Sequence, residues 1–360
     1  MLAVALAVVV AEKPQDSVPP FPYEVREVEI ASVDDVTLAG TLTVPEGEGP
    51  WPAAVLLTGS GPQDRDEALF GHRPFAVLAD ALTRRGIAVL RYDDRGFAAS
   101  TGDFAASTIN DFAADAHAAA SFADALPELD AVGFIGHSEG GITGPMATIR
   151  DDSPIDFVIT LAGPGLNGID ILARQSADLI AAMGVPAERA ERIGELNRTA
   201  LTAAANGADA ETLRPMIAAL VTAQFGITGE PNEAQQAQID QTVNAVLPQL
   251  QAPWFKVFLN TDPADSLGQL DVPVLAIFAG QDLQVSAEQN APVVEAILDD
   301  APTDDVTVVT LPGLSHFLHD VGKTPAAVFA YDRSEQTMSP VVWETIAPWI
   351  NERFGADAGE

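Results

Sequence analysis

Two hydrophobic periods run through the first half of the chain. Val25 to Ala31 and Val36 to Val44 alternate apolar and polar positions on either side of Asp34-Asp35. That pattern predicts two half-buried strands joined by a turn. Ala53 to Thr58, Ile87 to Tyr92, Ala131 to Gly136 and Ile155 to Leu161 are continuous apolar runs of strand length. Strands covered on both faces look like this. Between them, helical periodicity is predicted over 73–85, closed by Gly86, and over 110–125 and 139–150. Strand and helix alternate at the spacing of βαβ units, so the sheet should be mainly parallel.

The rhythm breaks at Gly163-Pro164-Gly165. Beyond it only helical patterns occur, over 168–183, 186–205, 209–225 and 232–250, with Gly184, Asn206-Gly207 and Gly229 to Asn232 between them. Alanine and glutamine are frequent there and β-branched runs are absent, which fits one helical insertion rather than a repeat array. Strand patterns resume at Pro273 to Ala279 and Val306 to Leu311, and a helix over 339–353 closes the chain. The expected class is therefore α/β. Residues 24–165 and 253–360 form the core, and a helical cap over 166–252 covers the mouth of the sheet. Residues 1–23 precede both: a proline-rich linker at 12–23, and before it the apolar stretch MLAVALAVVVA. Eleven residues are too few to span a bilayer as a helix. The stretch resembles the h-region of a signal peptide, with small residues for cleavage at Val9-Val10-Ala11, although no basic n-region precedes it. Export to the periplasm or medium is expected, with a cytoplasmic chain bearing an apolar start as the alternative.

Composition narrows the chemistry. With 360 residues and 47% apolar content, a sizeable core can form. There is no cysteine, which removes thiol nucleophiles, thiolate metal sites and disulfides together. The five histidines are His72, His117, His137, His316 and His319, and no HExxH pattern occurs, so a dedicated metal site is not expected. The formal net charge is −34 and only Lys13, Lys256 and Lys323 are lysines. Such a surface repels nucleic acid and anionic membranes. It serves solubility, or suits a saline habitat where self-repulsion is screened. The expected partner is a small molecule.

The chemistry sits at Gly136-His137-Ser138-Glu139-Gly140-Gly141, directly after an apolar strand and at the start of a helix. This is the context of a nucleophile elbow, a turn so sharp that glycines two residues before and after the serine relieve the crowding. Chain order gives an independent check, because in this fold the acid and then the base follow the serine. Asp282 lies just past the strand ending at Ala279, and His316 just past the strand ending at Leu311. Both lie at carboxyl ends of strands, where site residues of α/β sheets gather. A serine hydroxyl is a poor nucleophile at neutral pH, so His316 takes its proton, while Asp282 holds the imidazole tautomer. His319 competes as base, and Asp262, Asp265, Asp304 and Asp305 as acid, but each is less well placed relative to a strand end. The side chain of His137 should point away from the site and is read as packing. The oxyanion needs two backbone N–H donors, expected from Glu139 and from Ser60, with Gly61 next in line.

By these residues the chain resembles bacterial α/β-hydrolase esterases, a group with serine-aminopeptidase-like hydrolases. The matching stretches are LLTGSGPQDRDE, VLRYDDRGFAAS, IGHSEGG, PWFKVFLNTDP, PVLAIFAGQDLQV and LPGLSHFLH, spread over roughly 21–354. The resemblance implies a cofactor-free carboxylesterase for small to medium acyl esters, with Ser138, Asp282 and His316 as its triad and a helical cap at the insertion. It departs at Phe97-Ala98-Ala99-Ser100, where relatives usually carry glycine and a basic residue. Gln63-Asp64-Arg65-Asp66 either shapes the pocket rim or knits its loop by ion pairs, and the second is favoured. Trp254, Phe255 and Phe258 either line an acyl pocket or anchor the cap. The same triad would also serve a peptidase, a thioesterase or an acyltransferase, and a scaffold lacking a triad member would be an inactive binding protein.

Overall fold

The computed structural model describes residues 13–323 and 331–355, so the apolar stretch read as a signal lies outside the described residues. Strands β1 (Tyr23–Ala31) and β2 (Thr37–Pro45) form an antiparallel hairpin. At its turn Asp34 and Asp35 take φ of 59° and 58°. Short polar side chains tolerate that left-handed backbone better than most. Strands β3 (Trp51–Leu57), β4 (Ala88–Tyr92), β5 (Leu129–His137), β6 (Phe157–Leu161), β7 (Val274–Ala279) and β8 (Val306–Leu311) complete an eight-stranded sheet. Its order is β1-β2-β4-β3-β5-β6-β7-β8, and only β2 runs antiparallel to its neighbours within the rest of the sheet. The mainly parallel sheet is as expected.

Alternation along each central strand builds two cores. Val132 and Phe134 of β5, with Ala276 and Phe278 of β7, point to one face; Ile135, Leu275, Ile277 and Ala279 point to the other. Helices α1 (Pro74–Thr83) and α11 (Pro340–Phe354) cover the second face. Helices α2 (Ile109–Asp124) and α3 (Gly140–Thr148) cover the first. Both faces of the central parallel strands are therefore dry, as their continuous apolar runs require, while β8 at the edge of the sheet stays partly exposed.

The insertion begins with α4 (Gly168–Ala182), α5 (Ala187–Ala205), α6 (Ala210–Gln224) and α7 (Glu233–Leu250), each within about two residues of its predicted span. The side chains of Asn167, Asp209 and Asn232 accept from backbone N–H groups of the first turns of α4, α6 and α7. Leu213, Ile217, Ile239 and Val243 give the helices a core of their own, which Ile109 and Ile142 join. Ile109 opens α2 and Ile142 lies in the first turn of α3. The insertion is therefore seated at the end of the sheet where the strands finish.

Three helices were not foreseen: α8 (Pro253–Asn260), α9 (Ala264–Leu267) and α10 (Ala287–Asp299). Helix α10 carries Pro292 in its interior and buries Asn290, Val294 and Leu298 along one face. The parallel pairing of β7 with β8 demands a crossover there. Helix α8 packs with α4, α5 and α7, so the helical cluster extends past residue 252. The predicted linker is docked from Lys13 onward: Gln15 hydrogen-bonds to Thr337 and Met338, and Asp16 pairs with Arg73. Among the described residues no helix is long and apolar enough to cross a membrane.

Candidate active site

Ser138 follows the last residue of β5 and has φ of 52°, a left-handed conformation for a residue with a side chain. Its N–H donates to the Leu161 carbonyl at 2.9 Å and its carbonyl accepts from Gly141 N–H at 2.9 Å, so the turn is held from both sides. The space around it explains the glycines. A Cβ at Gly136 would lie 2.1 Å from the Gly140 oxygen, and one at Gly140 would lie 2.3 Å from the Leu57 oxygen. Neither approach is open to any other residue. Strain of this kind, over-determined by neighbours, concentrates at functional sites.

Asp282 and His316 meet across the ends of β7 and β8. His316 Nδ1 and Asp282 Oδ2 are 2.8 Å apart, with both side chains buried. The other carboxylate oxygen accepts from Gln284 N–H at 2.7 Å and Val285 N–H at 2.9 Å. With Oδ1 engaged by two donors, Oδ2 accepts the Nδ1 proton, which leaves Nε2 as the free lone pair. The loop carrying His316 is tied to the acid's loop by Gln281 N–H to Leu314 O at 2.8 Å.

A cavity of about 210 Å³ brings Ser138 and His316 together, with Leu69, Phe317, Gln63 and Gln284 on its walls. Ser60 lies on the same wall. Among the described residues, the Ser138 hydroxyl and the N–H groups of Ser60 and Glu139 have no hydrogen-bond partner, and of the three residues Ser138 and Ser60 line this cavity while Glu139 does not. A larger groove of about 740 Å³ beside α8 holds none of these residues, and size alone does not choose the site.

The loop after β3 is pinned by acids. Thr58 Oγ1 and Gln63 N–H donate to Asp94, each at 2.8 Å, and Arg65 makes a two-pronged pair with Asp93 at 3.0 Å per bond. Arg91 pairs with Asp66 at 2.8 Å. The Gln63 to Asp66 block thus knits its loop, the reading favoured from sequence. Behind the loop a chamber of about 20 Å³, room for one water molecule, is walled by Asp94 and Glu139. Burial pushes the Asp94 carboxyl up to about 7 and that of Glu139 up to about 8. Glu139 accepts from the Trp254 indole N–H at 3.2 Å, which ties the elbow to α8.

Other candidates fall elsewhere. Burial pushes His319 down to about 4, and its Nδ1 faces the Ser315 hydroxyl. Asp262, Asp265 and Asp304 are exposed, and Asp305 pairs with Arg353. Trp254, Phe255 and Phe258 pack on one another within the insertion's core, and none of them is on the wall of the cavity at Ser138. The packing of half-buried Trp254 against the insertion's core and its bond to Glu139 suit an anchor. His137 corrects the packing assignment: its Nδ1 is 2.8 Å from Glu67 Oε1 and its Nε2 is 2.9 Å from the His316 carbonyl. Glu67 itself went unread, since a contact across 70 residues leaves no local pattern. At the departure from the family pattern, Ala98 has φ of 47°, a backbone suited to the usual glycine. Arg95 is nonetheless secured by bonds of 2.6 and 2.7 Å to the buried Asp115. Among the described residues no cluster of three or more histidine or acidic side chains could hold a metal.

Residues 73–320 match a family model described as serine aminopeptidase, S33. Esterase EstD of Thermotoga maritima is 24% identical over 303 residues, which cover 84% of this chain and 62% of that esterase. The matched region is thus less than two thirds of the relative's length. The Pyrococcus furiosus esterase Pf2001 is similar in structure, with a TM-score of 0.52 at 15% identity over 92% of this chain and 93% of that one. Est1E from Butyrivibrio proteoclasticus, solved with ferulic acid bound, has a TM-score of 0.51 at 16% identity, over 90% of this chain and 98% of its own.

Proposed function

The chain belongs to the S33 serine aminopeptidase family of hydrolases and has the α/β-hydrolase fold of the esterases it resembles, and from that premise we propose that it is a serine carboxylesterase for small to medium acyl esters. The observation that carries this reading is the Asp282–His316 hydrogen bond, facing the same cavity as a serine in a strained elbow. In this reading the Ser138 hydroxyl turns toward His316 Nε2 and gives up its proton as its oxygen attacks the ester carbonyl. The negative oxygen that results is held by the N–H groups of Ser60 and Glu139. His316 returns the proton to the departing alcohol, leaving an acyl-serine. A water then attacks the acyl carbon as His316 takes one of its protons, and on collapse His316 gives that proton to the Ser138 oxygen as its bond to the acyl carbon breaks, releasing the acid.

An aminopeptidase is the competing reading, since the family's description names one. Such an enzyme needs a free carboxylate for the substrate's ammonium group. Glu67 is the acid on the cavity wall, and it is already paired with His137. The cavity's modest volume and its mixed wall suit a short acyl chain. The insertion is read as a cap, anchored through Trp254, and export remains part of the proposal. Hydrolysis of p-nitrophenyl esters of graded length, set against aminoacyl anilides, tests the assignment. Turnover of short esters that Ser138→Ala abolishes is expected, and faster turnover of the anilides would overturn it.

A further inference from the structure

Glu67 is buried and has φ of 52°, so its placement costs backbone strain. One of its oxygens, Oε1, accepts from Gly59 N–H at 2.8 Å and faces His137 Nδ1 at 2.8 Å. On the far side of the ring, His137 Nε2 faces the His316 carbonyl oxygen at 2.9 Å. A carbonyl only accepts, so Nε2 carries a hydrogen. Oε1 already accepts from the Gly59 N–H and so faces the ring as an acceptor, which means that Nδ1 carries a hydrogen as well. A ring with a proton on both nitrogens is a cation. Burial alone would lower the proton affinity of His137; the charge and hydrogen bond of Glu67, with the His316 carbonyl, reverse this and hold it above the usual value.

We propose that Glu67 and His137 are positioning residues of this site, a buried carboxylate–imidazolium pair that fastens the loop at Gly59 to the backbone of His316. The inference rests on the esterase reading for what is positioned. Gly59 immediately precedes the oxyanion donor Ser60, and His316 is the base. One chain of three hydrogen bonds therefore sets the distance between the group that holds the oxyanion and the group that moves the proton. The His137 and His316 rings also lie 4.9 Å apart, centre to centre. The titratable groups around the pair are His316 and Asp282 beside His137, and Asp94 and Tyr331 facing Glu67.

Glu67→Gln keeps the shape and the acceptor and removes the charge. With p-nitrophenyl acetate as substrate, kcat should fall about 10- to 100-fold with KM little changed, as expected when geometry is loosened by a fraction of an ångström. In wild-type protein labelled with ¹⁵N-histidine, both ring nitrogens of His137, assigned by its loss in His137→Gln, should be protonated at pH 7. That spectrum needs no variant of Glu67 to fold. A folded Glu67→Gln with wild-type kcat, or a neutral His137 in active enzyme, would overturn the pair. A wild-type protein without ester turnover would instead overturn the esterase reading, and the positioning role with it.

Discussion

Glu139 offers a stability test that needs no substrate. Its carboxyl is buried against Trp254 and the Asp94 chamber, and burial raises it from 4.5 to about 8. Below pH 4.5 the group is protonated in both folded and unfolded chains and stability does not depend on it. Between 4.5 and about 8 the folded protein holds a proton that the unfolded chain has released, so stability falls as pH rises. Above about 8 both forms are ionised and the full penalty is present. At about 1.4 kcal/mol per pH unit, that penalty comes to roughly 4–5 kcal/mol. Glu139→Gln does not titrate, and its amide oxygen still accepts from Trp254. Urea unfolding of both proteins at pH 5, 7 and 9 yields the difference in stability, in which the repulsion of the −34 net charge largely cancels. The variant should gain on the wild type by about 4 kcal/mol between pH 5 and 9. A difference flat across that range would refute the reasoning, because it would mean that Glu139 ionises in the folded protein as it does in water.

Further outcomes follow from other contacts. In Asp282→Asn the bonds from Gln284 and Val285 keep the side-chain oxygen in place, so the amide nitrogen faces His316 Nδ1 and forces the proton onto Nε2; kcat should drop by about 10³- to 10⁴-fold in a folded protein, read by steady-state kinetics beside circular dichroism. Ala98→Gly relieves a left-handed φ of 47° and should raise the urea midpoint by the equivalent of about 0.5–1 kcal/mol. Arg95→Met strands the buried Asp115 and should cost about 3–5 kcal/mol, most of it regained when Asp115→Leu is added, as a double-mutant cycle in urea would measure.

Much of the fold could be read from period alone. The parallel strands are continuous apolar runs because both faces are covered, and the insertion stood out because its helices lack such runs and begin at Asn167, Asp209 and Asn232. Helix α10 went unread although Asn290, Val294 and Leu298 recur at four-residue spacing on its buried face. Ser138, Asp282 and His316 were legible as candidates because each lies at a strand end, a position that one-dimensional pattern reveals. The Glu67–His137 contact was not legible. It joins a loop to the elbow across the sheet, and nothing near either residue in the chain signals the other. Trp254 shows the same limit, since its aromatic neighbourhood suits a pocket and an anchor alike until the indole N–H is seen to meet Glu139.

The proposed chemistry makes one covalent demand, an ester bond to the hydroxyl of residue 138 during turnover. Acid quenching of the enzyme within milliseconds of mixing with p-nitrophenyl acetate, followed by peptide mass spectrometry, reads that bond directly. An added acetyl mass on the peptide containing Ser138, absent from Ser138→Ala and building up in His316→Ala only far more slowly, is the predicted result. Acetyl on another residue at the catalytic rate, or undiminished turnover by Ser138→Ala, would contradict the account.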